Sequence, residues 1–431
     1  MTSYTIPGMH VREHTVDVPL NWWDDADPRR LTVFARELVD PMRKDEDLPC
    51  LLFLQGGPGG KSPRPIDTSG WIGQALKTYR VVLIDQRGTG RSTRVDGRRM
   101  NSFDTAEEAA AYLACFRADS IVADAEHLRT TVFGGEKWST LGQSFGGFIT
   151  LTYLSQAPEG LTACYVTGGL PSVTPAAAEV YRRTYPRVEA KNREFYRRYP
   201  HNVDRVAAIA DRLAAGDVRL PDGDQLTVRR FQSLGIDFGM KPGYERIHWL
   251  IDEAFAGDEL SDTFLSQVMA LSSYSDGPLF AALQEACYGS GDGATGWAAE
   301  RERAKHPQFA ETARPLLFTG EMIYPWMFEE IRVLRPFRAA VELLATRSSW
   351  SQLFDLDRLA ANEVPVAAAV YFDDMYVDSG LQLETAGRVG NVQAWVTNEY
   401  EHDGLRMSDG VFPHLTDLVR SVGGGVRPRS S

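Results

Sequence analysis

Trp138-Ser139-Thr140-Leu141-Gly142-Gln143-Ser144-Phe145-Gly146-Gly147 decides how the rest of this chain is read. Four residues of strand character run into a Gly-x-Ser-x-Gly turn. An apolar segment, Phe148-Ile149-Thr150-Leu151-Thr152-Tyr153-Leu154, follows it, reads as a helix and stops before Pro158. A strand that turns sharply into a helix brings its neighbouring backbones together, and flanking glycines leave room for that approach. The turn lifts the serine hydroxyl above the sheet. The helix points free N–H groups and a partial positive charge at whatever reacts there. A Gly/Ser turn alone can arise by chance; the strand before it and the helix after it make Ser144 a candidate nucleophile.

Upstream, Cys50-Leu51-Leu52-Phe53-Leu54 ends in Gln55-Gly56-Gly57-Pro58-Gly59-Gly60, and Arg80-Val81-Val82-Leu83-Ile84 ends in Asp85-Gln86-Arg87-Gly88. Downstream, Cys164-Tyr165-Val166-Thr167 ends in Gly168-Gly169. Short runs that are apolar throughout suit strands buried on both faces of a parallel sheet. Their carboxyl ends carry the site in open α/β sheets. Residues 105–132 read as one helix. From about 172 to 350 the chain turns rich in Arg, Glu, Ala, Tyr and Trp, with amphipathic helical segments such as Tyr181–Tyr199 and Phe328–Leu344. Strand runs return at Val364–Phe372 and Val392–Val396. The pattern predicts an α/β-hydrolase fold, a mostly parallel central sheet with helices on both faces and a mainly helical cap inserted. The core spans 1–171 and 351–422, the cap 172–350, and a flexible tail 423–431.

A serine nucleophile needs a base, an acid to orient that base, and N–H donors for the oxyanion. In this fold the donors come from the residue after the nucleophile, here Phe145, and from a Gly-rich loop after an early strand, where Gly57 is the candidate. The chain order is serine, acid, histidine. Only His402 and His414 lie beyond the strand at 364–372. His402 comes after the last strand in a loop able to hang over the elbow, whereas His414 reads as part of a terminal helix, so His402 is the favoured base. The acid closes the preceding strand as Asp374 or Asp373, with Asp374 preferred and Asp378 a more distant candidate.

The 431 residues carry a formal net charge of −12, with 43% hydrophobic and 24% charged residues. That balance suits a soluble globular protein and argues against nucleic acid or an anionic membrane as the main partner. The four cysteines are widely spaced and form no C-x-x-C pair, which predicts reduced thiols in a cytoplasmic protein and suggests no zinc site. Neither a signal peptide nor a transmembrane segment is expected.

Three blocks resemble the proline iminopeptidases (prolyl aminopeptidases), longer bacterial type. They are Gly56-Gly57-Pro58-Gly59-Gly60, Asp85-Gln86-Arg87-Gly88-Thr89-Gly90-Arg91-Ser92 and Gly142-Gln143-Ser144-Phe145-Gly146-Gly147. The segments Asp119–Glu126, Tyr371–Val377 and Asn398–Arg406 share the likeness, while Gln55 stands where the family often has His. The resemblance implies release of N-terminal proline from short peptides, without metal or cofactor. It also implies acidic cap residues that hold the substrate's free amine. Glu321, with Tyr324 beside it, is the first match and Glu285 the second; Cys287 could line the proline pocket. Two other readings stand beside this one. An esterase, amidase or lactonase would lack an acidic anchor in the cap. A silent binding protein would lack a working serine, acid and histidine.

Overall fold

The computed structural model describes residues 2–174 and 176–425. Of the expected tail, 426–431 lie outside the described residues, and 423–425 trail from the last helix. Among the described residues nine strands form one sheet: β1 (Thr2–Ile6), β2 (Met9–Pro19), β3 (Arg30–Val39), β4 (Cys50–Leu54), β5 (Arg80–Asp85), β6 (Trp138–Gln143), β7 (Leu161–Thr167), β8 (Val366–Tyr371) and β9 (Val392–Thr397). Their spatial order is β1-β2-β3-β5-β4-β6-β7-β8-β9. The β1 to β3 ribbon and its junction with β5 are antiparallel; every pairing from β5 to β9 is parallel.

Alternation along each strand divides the core in two. Leu52, Leu54, Val82, Ile84, Val366, Ala368 and Val370 face one apolar layer. It includes the helices α1 (Ala118–Val132) and α2 (Phe145–Gln156) and runs on into the segment between β7 and β8. Leu51, Phe53, Val81, Leu83, Ala367, Ala369 and Tyr371 face the other layer, built on the helices Gly70–Leu76 and Val411–Ser421. Burial on both faces is why these strands read as unbroken apolar runs. The order reverses at β4, which pairs with β5 on one side and β6 on the other. Such a reversal opens a crevice at the strands' carboxyl ends. The loop after β4 and the turn after β6 both border it.

Two helical expectations need correction. Residues 105–132 form two helices, Ala106–Ala114 and Ala118–Val132, because the chain breaks at Cys115-Phe116-Arg117. The break hands the Cys115 carbonyl to Arg87 Nη1 at 2.7 Å. Phe328–Leu344 is likewise interrupted: Met327–Glu330 ends, and Pro336 lies in a 3₁₀ turn before the helix Arg338–Thr346. Proline has no N–H and restricts the residue before it, so no single helix passes through 336.

Arg87 is fully buried. Its guanidinium bonds Asp124 at 2.7 and 2.5 Å and also reaches the carbonyls of Leu20, Cys115 and Pro19. Removing it strands the Asp124 carboxylate in the core, and breaking a buried pair from one side costs about 3–5 kcal/mol. Arg87→Met is therefore expected to lower the denaturant midpoint by that equivalent, read by chemical unfolding.

Between β7 and β8 the chain folds mainly into helices, the longest being α3 (Ala177–Arg198). Two-residue strands pair antiparallel within this segment, Phe255–Ala256 with Glu259–Leu260 and Gly291–Asp292 with Ser349–Trp350. Among the described residues no helix is long and apolar enough to cross a membrane.

Candidate active site

Ser144 sits between β6 and α2 with φ 57° and ψ −127°. A non-glycine residue in this region is strained, and the surroundings hold it there. Its N–H donates to Thr167 O at 3.0 Å, and its own carbonyl accepts from Gly147 N at 2.7 Å. A Cβ at Gly146 would fall 1.9 Å from Leu54 O, so the helix start can press onto β4 only without a side chain there. Phe145 is the first helical residue, and its N–H belongs to the group a helix cannot satisfy internally.

The loop after β4 passes beside this turn. A Cβ at Gly56 would lie 2.8 Å from Ser144 Cβ. Gly57 follows with φ +132°, a backbone region open to glycine. Gly56 therefore packs against Ser144, with Gly57 next in the loop and Phe145 next in the turn. The loop is braced from behind: Gln86 Nε2 donates to Gln55 O at 2.7 Å. Asp85 receives Arg64 through both carboxylate oxygens at 2.8 and 2.6 Å. Asp85 and Gln86 thus brace the loop after β4.

His402 and Asp374 meet beyond β8 and β9. His402 Nδ1 and Asp374 Oδ2 are 2.6 Å apart, with both side chains buried. The other Asp374 oxygen accepts from Tyr376 N at 2.8 Å and Val377 N at 3.0 Å, which fixes the carboxylate in the turn. Asp373 is exposed. Asp378 is engaged elsewhere: it caps the helix Ser379–Ala386 and pairs with Arg187 at 2.5 Å. His414 lies in the terminal helix, its ring 4.3 Å from that of Trp395.

Ser144 and His402 flank the same two-glycine turn after β7. A Cβ at Gly168 would lie 3.1 Å from His402 Nδ1, and one at Gly169 would lie 2.3 Å from Ser144 O. Among the described residues the Ser144 hydroxyl has no hydrogen-bond partner. Catalytic hydrogen bonds of this kind often tighten only when substrate is bound. Burial alone would depress the His402 imidazole. The Asp374 carboxylate and the charge of Glu321 outweigh it, so the pKa stands above the ordinary value.

Glu321 lies within electrostatic reach of the Asp374–His402 pair. Burial pushes it up to about 7. His402 pulls it down, Asp374 pushes it up, and a hydrogen bond from Gln284 favours the charged form. Glu285 is placed differently. Its two oxygens accept from Ala298 N at 2.8 Å and Ala299 N at 3.2 Å, so it caps the helix Ala298–Arg303 from 13 residues away. Tyr324 turns its hydroxyl to Tyr185 Oη at 2.9 Å. Cys287 is buried and donates to Gln284 O at 2.9 Å. The sequence reading missed Gln284, whose only signal is its place next to Glu285.

A profile of the alpha/beta hydrolase fold matches residues 49–215. A proline iminopeptidase of Aeromonas sobria is 46% identical over 409 residues, covering 94% of this chain and 95% of that one. A proline iminopeptidase of Aspergillus aculeatus is 34% identical, covering 96% and 95%. A proline iminopeptidase of Saccharolobus solfataricus matches a shorter stretch, 29% identical over 149 residues, covering 35% of this chain and 42% of that one. With identity at this level running almost end to end, and an elbow, glycine loop and Asp–His pair assembled at the switch point of the sheet, the chain belongs to the proline iminopeptidase family of the α/β-hydrolase fold.

Proposed function

We propose that this enzyme releases N-terminal proline from short peptides through an acyl-enzyme on Ser144. His402 takes the hydroxyl proton as Ser144 attacks the first peptide carbonyl, and Asp374 holds the imidazole in the tautomer that allows this. The amides of Gly57 and Phe145 receive the developing oxyanion. His402 then returns the proton to the leaving amine, and water releases proline by the reverse use of the same groups. Residues 172–350 act as the cap over this site.

The observation that carries the reading is Glu321. A carboxyl raised to about 7 beside the acid–base pair is a poor structural element, since its charge is costly there without a partner. A substrate's terminal imino group, a cation at neutral pH, is such a partner, and holding it limits cleavage to the first bond. Tyr324, Cys287 and Glu285 shape and support the region around Glu321, Glu285 through the helix it caps. The four free thiols suit a reducing compartment, which supports a cytoplasmic location.

The test compares anilides of proline, alanine and N-blocked proline. Free proline anilide is expected to turn over fastest, and blocking its nitrogen to abolish activity. Equal rates on the blocked compound would replace the peptidase reading with that of an esterase or amidase.

A further inference from the structure

Three loops of the site converge on one side of α3. Arg187 reaches the turn that carries Asp374: its Nε donates to Asp378 Oδ2 at 2.5 Å, Nη1 to Phe372 O at 2.8 Å and Nη2 to Ser379 Oγ at 2.9 Å. Lys191, one turn further on, donates to Glu401 Oε2 at 2.5 Å, and Glu401 immediately precedes His402. Asn192 forms a reciprocal pair with the backbone of Phe318, accepting from its N–H at 2.7 Å and donating to its carbonyl at 2.9 Å. Phe318 leads into Glu321. Val188 packs so near Gly320 that a Cβ there would fall 2.6 Å from its Cγ2. Positions 187, 188, 191 and 192 lie on one side of a helix, since residues three and four apart are neighbours.

The base loop leans on the same insertion again further along. His402 N donates to Gly239 O at 3.0 Å, Lys241 N to Asp403 Oδ2 at 3.0 Å, and Lys241 Nζ to Glu399 O at 2.8 Å. Asp374 and His402 themselves come from β8 and β9 loops, which the sheet anchors only at one end.

We propose that Arg187 and Lys191 are positioning residues: from adjacent turns of one helix they set the acid's turn and the base's loop in register with each other, while Asn192 brings the segment leading to Glu321 into the same register. This rests on the reading of Asp374 and His402 as acid and base. Charged hydrogen bonds in partly buried surroundings are directional and strong enough to fix a loop. The demand is strict, because a displacement of about 1 Å can cost on the order of 10²-fold in rate. The insertion therefore completes the machinery as well as covering it.

The experiment uses the full chain with Lys191→Met, Lys191→Arg, Arg187→Met, Arg187→Lys and Glu401→Gln. It measures kcat and KM on proline anilide, the rate of Ser144 phosphonylation by a small organophosphonate, and the melting temperature. Lys191→Met and Arg187→Met are each expected to lower kcat roughly 10- to 100-fold, with KM little changed and phosphonylation slowed in parallel. Lys191→Arg and Arg187→Lys recover most of the loss. Glu401→Gln reproduces the Lys191→Met defect, and the double variant adds nothing further. If Lys191→Met does not fold, Glu401→Gln carries the same test, because it breaks that contact from the loop side; if Arg187→Met does not fold, Asp378→Asn breaks its contact from the side of the acid's turn. Normal kcat with only a lowered melting temperature would overturn the proposal. Ser144→Ala and His402→Ala serve as controls: turnover retained in them would instead sink the assignment of the catalytic groups.

Discussion

Asp374→Asn is expected to cut turnover by about 10⁴-fold while the folded structure and the Ser144 environment persist. The reason lies in how the carboxylate is held. One oxygen already accepts from Tyr376 N and Val377 N, and only the other faces His402 Nδ1 at 2.6 Å. An asparagine in this turn keeps its carbonyl oxygen toward the two backbone donors and turns its amide nitrogen to the imidazole. That nitrogen is a donor, so Nδ1 must become the acceptor and the ring proton moves to Nε2. An imidazole with its proton there cannot take one from a serine. Steady-state turnover of proline anilide reads the loss, and Asp373→Asn, on an exposed side chain, serves as the matched comparison with near-normal turnover. A near-normal rate in Asp374→Asn would break the proposed acid–base pair.

Glu321→Gln should strike the free amine of the substrate and spare the chemistry. A buried cation deprived of its partner costs about 2–5 kcal/mol, which is roughly 30- to 5,000-fold in kcat/KM on unblocked proline anilide. Whatever slow hydrolysis of N-blocked substrates exists should not fall. The pH profile supplies a second readout. On the proposed reading it is the carboxylate form of Glu321 that binds the cation, so in the parent enzyme kcat/KM on free amines is expected to decline as pH drops through about 7. The charge of Glu321 also raises the His402 pKa. Removing that charge lowers the imidazole pKa, so the acid-side loss of activity moves to lower pH. An unchanged acid limb, with equal loss on blocked and free substrates, would take the amine-binding role away from Glu321.

Much of this was legible in the sequence for a plain reason. β4 to β8 are buried on both faces, so most of them appear as apolar runs, and β4, β5, β6 and β7 each run into a glycine-bearing turn. Ser144 announces itself through the strand and helix on either side, and His402 through its place after the last strand. The acid was narrower to read, because Asp373 and Asp374 differ only in which way the turn faces them. The break at Cys115 was not legible, since its beneficiary, Arg87, lies 28 positions upstream. The break at Pro336 was readable from local chemistry, and the amphipathic pattern of Phe328–Leu344 obscured it. Glu285 looked like Glu321 because a glutamate that caps a helix and one proposed to meet a substrate amine carry the same letter. Only the amides of Ala298 and Ala299 distinguish them. The positions of Arg187 and Lys191 were silent for the same reason: their partners, Asp378 and Glu401, are about 200 residues downstream.

β7 and β8 are paired neighbours although about 200 residues separate them. Closing an excursion of that size is entropically cheap to modify, since doubling its length costs only about 0.6 kcal/mol. Descendants of this chain could therefore lengthen or trim the excursion with little penalty to folding. Register is the tighter constraint, and it falls on Arg187–Asn192 and on the stretch near Gly239. Divergence is thereby channelled away from those positions and into the rest of the excursion.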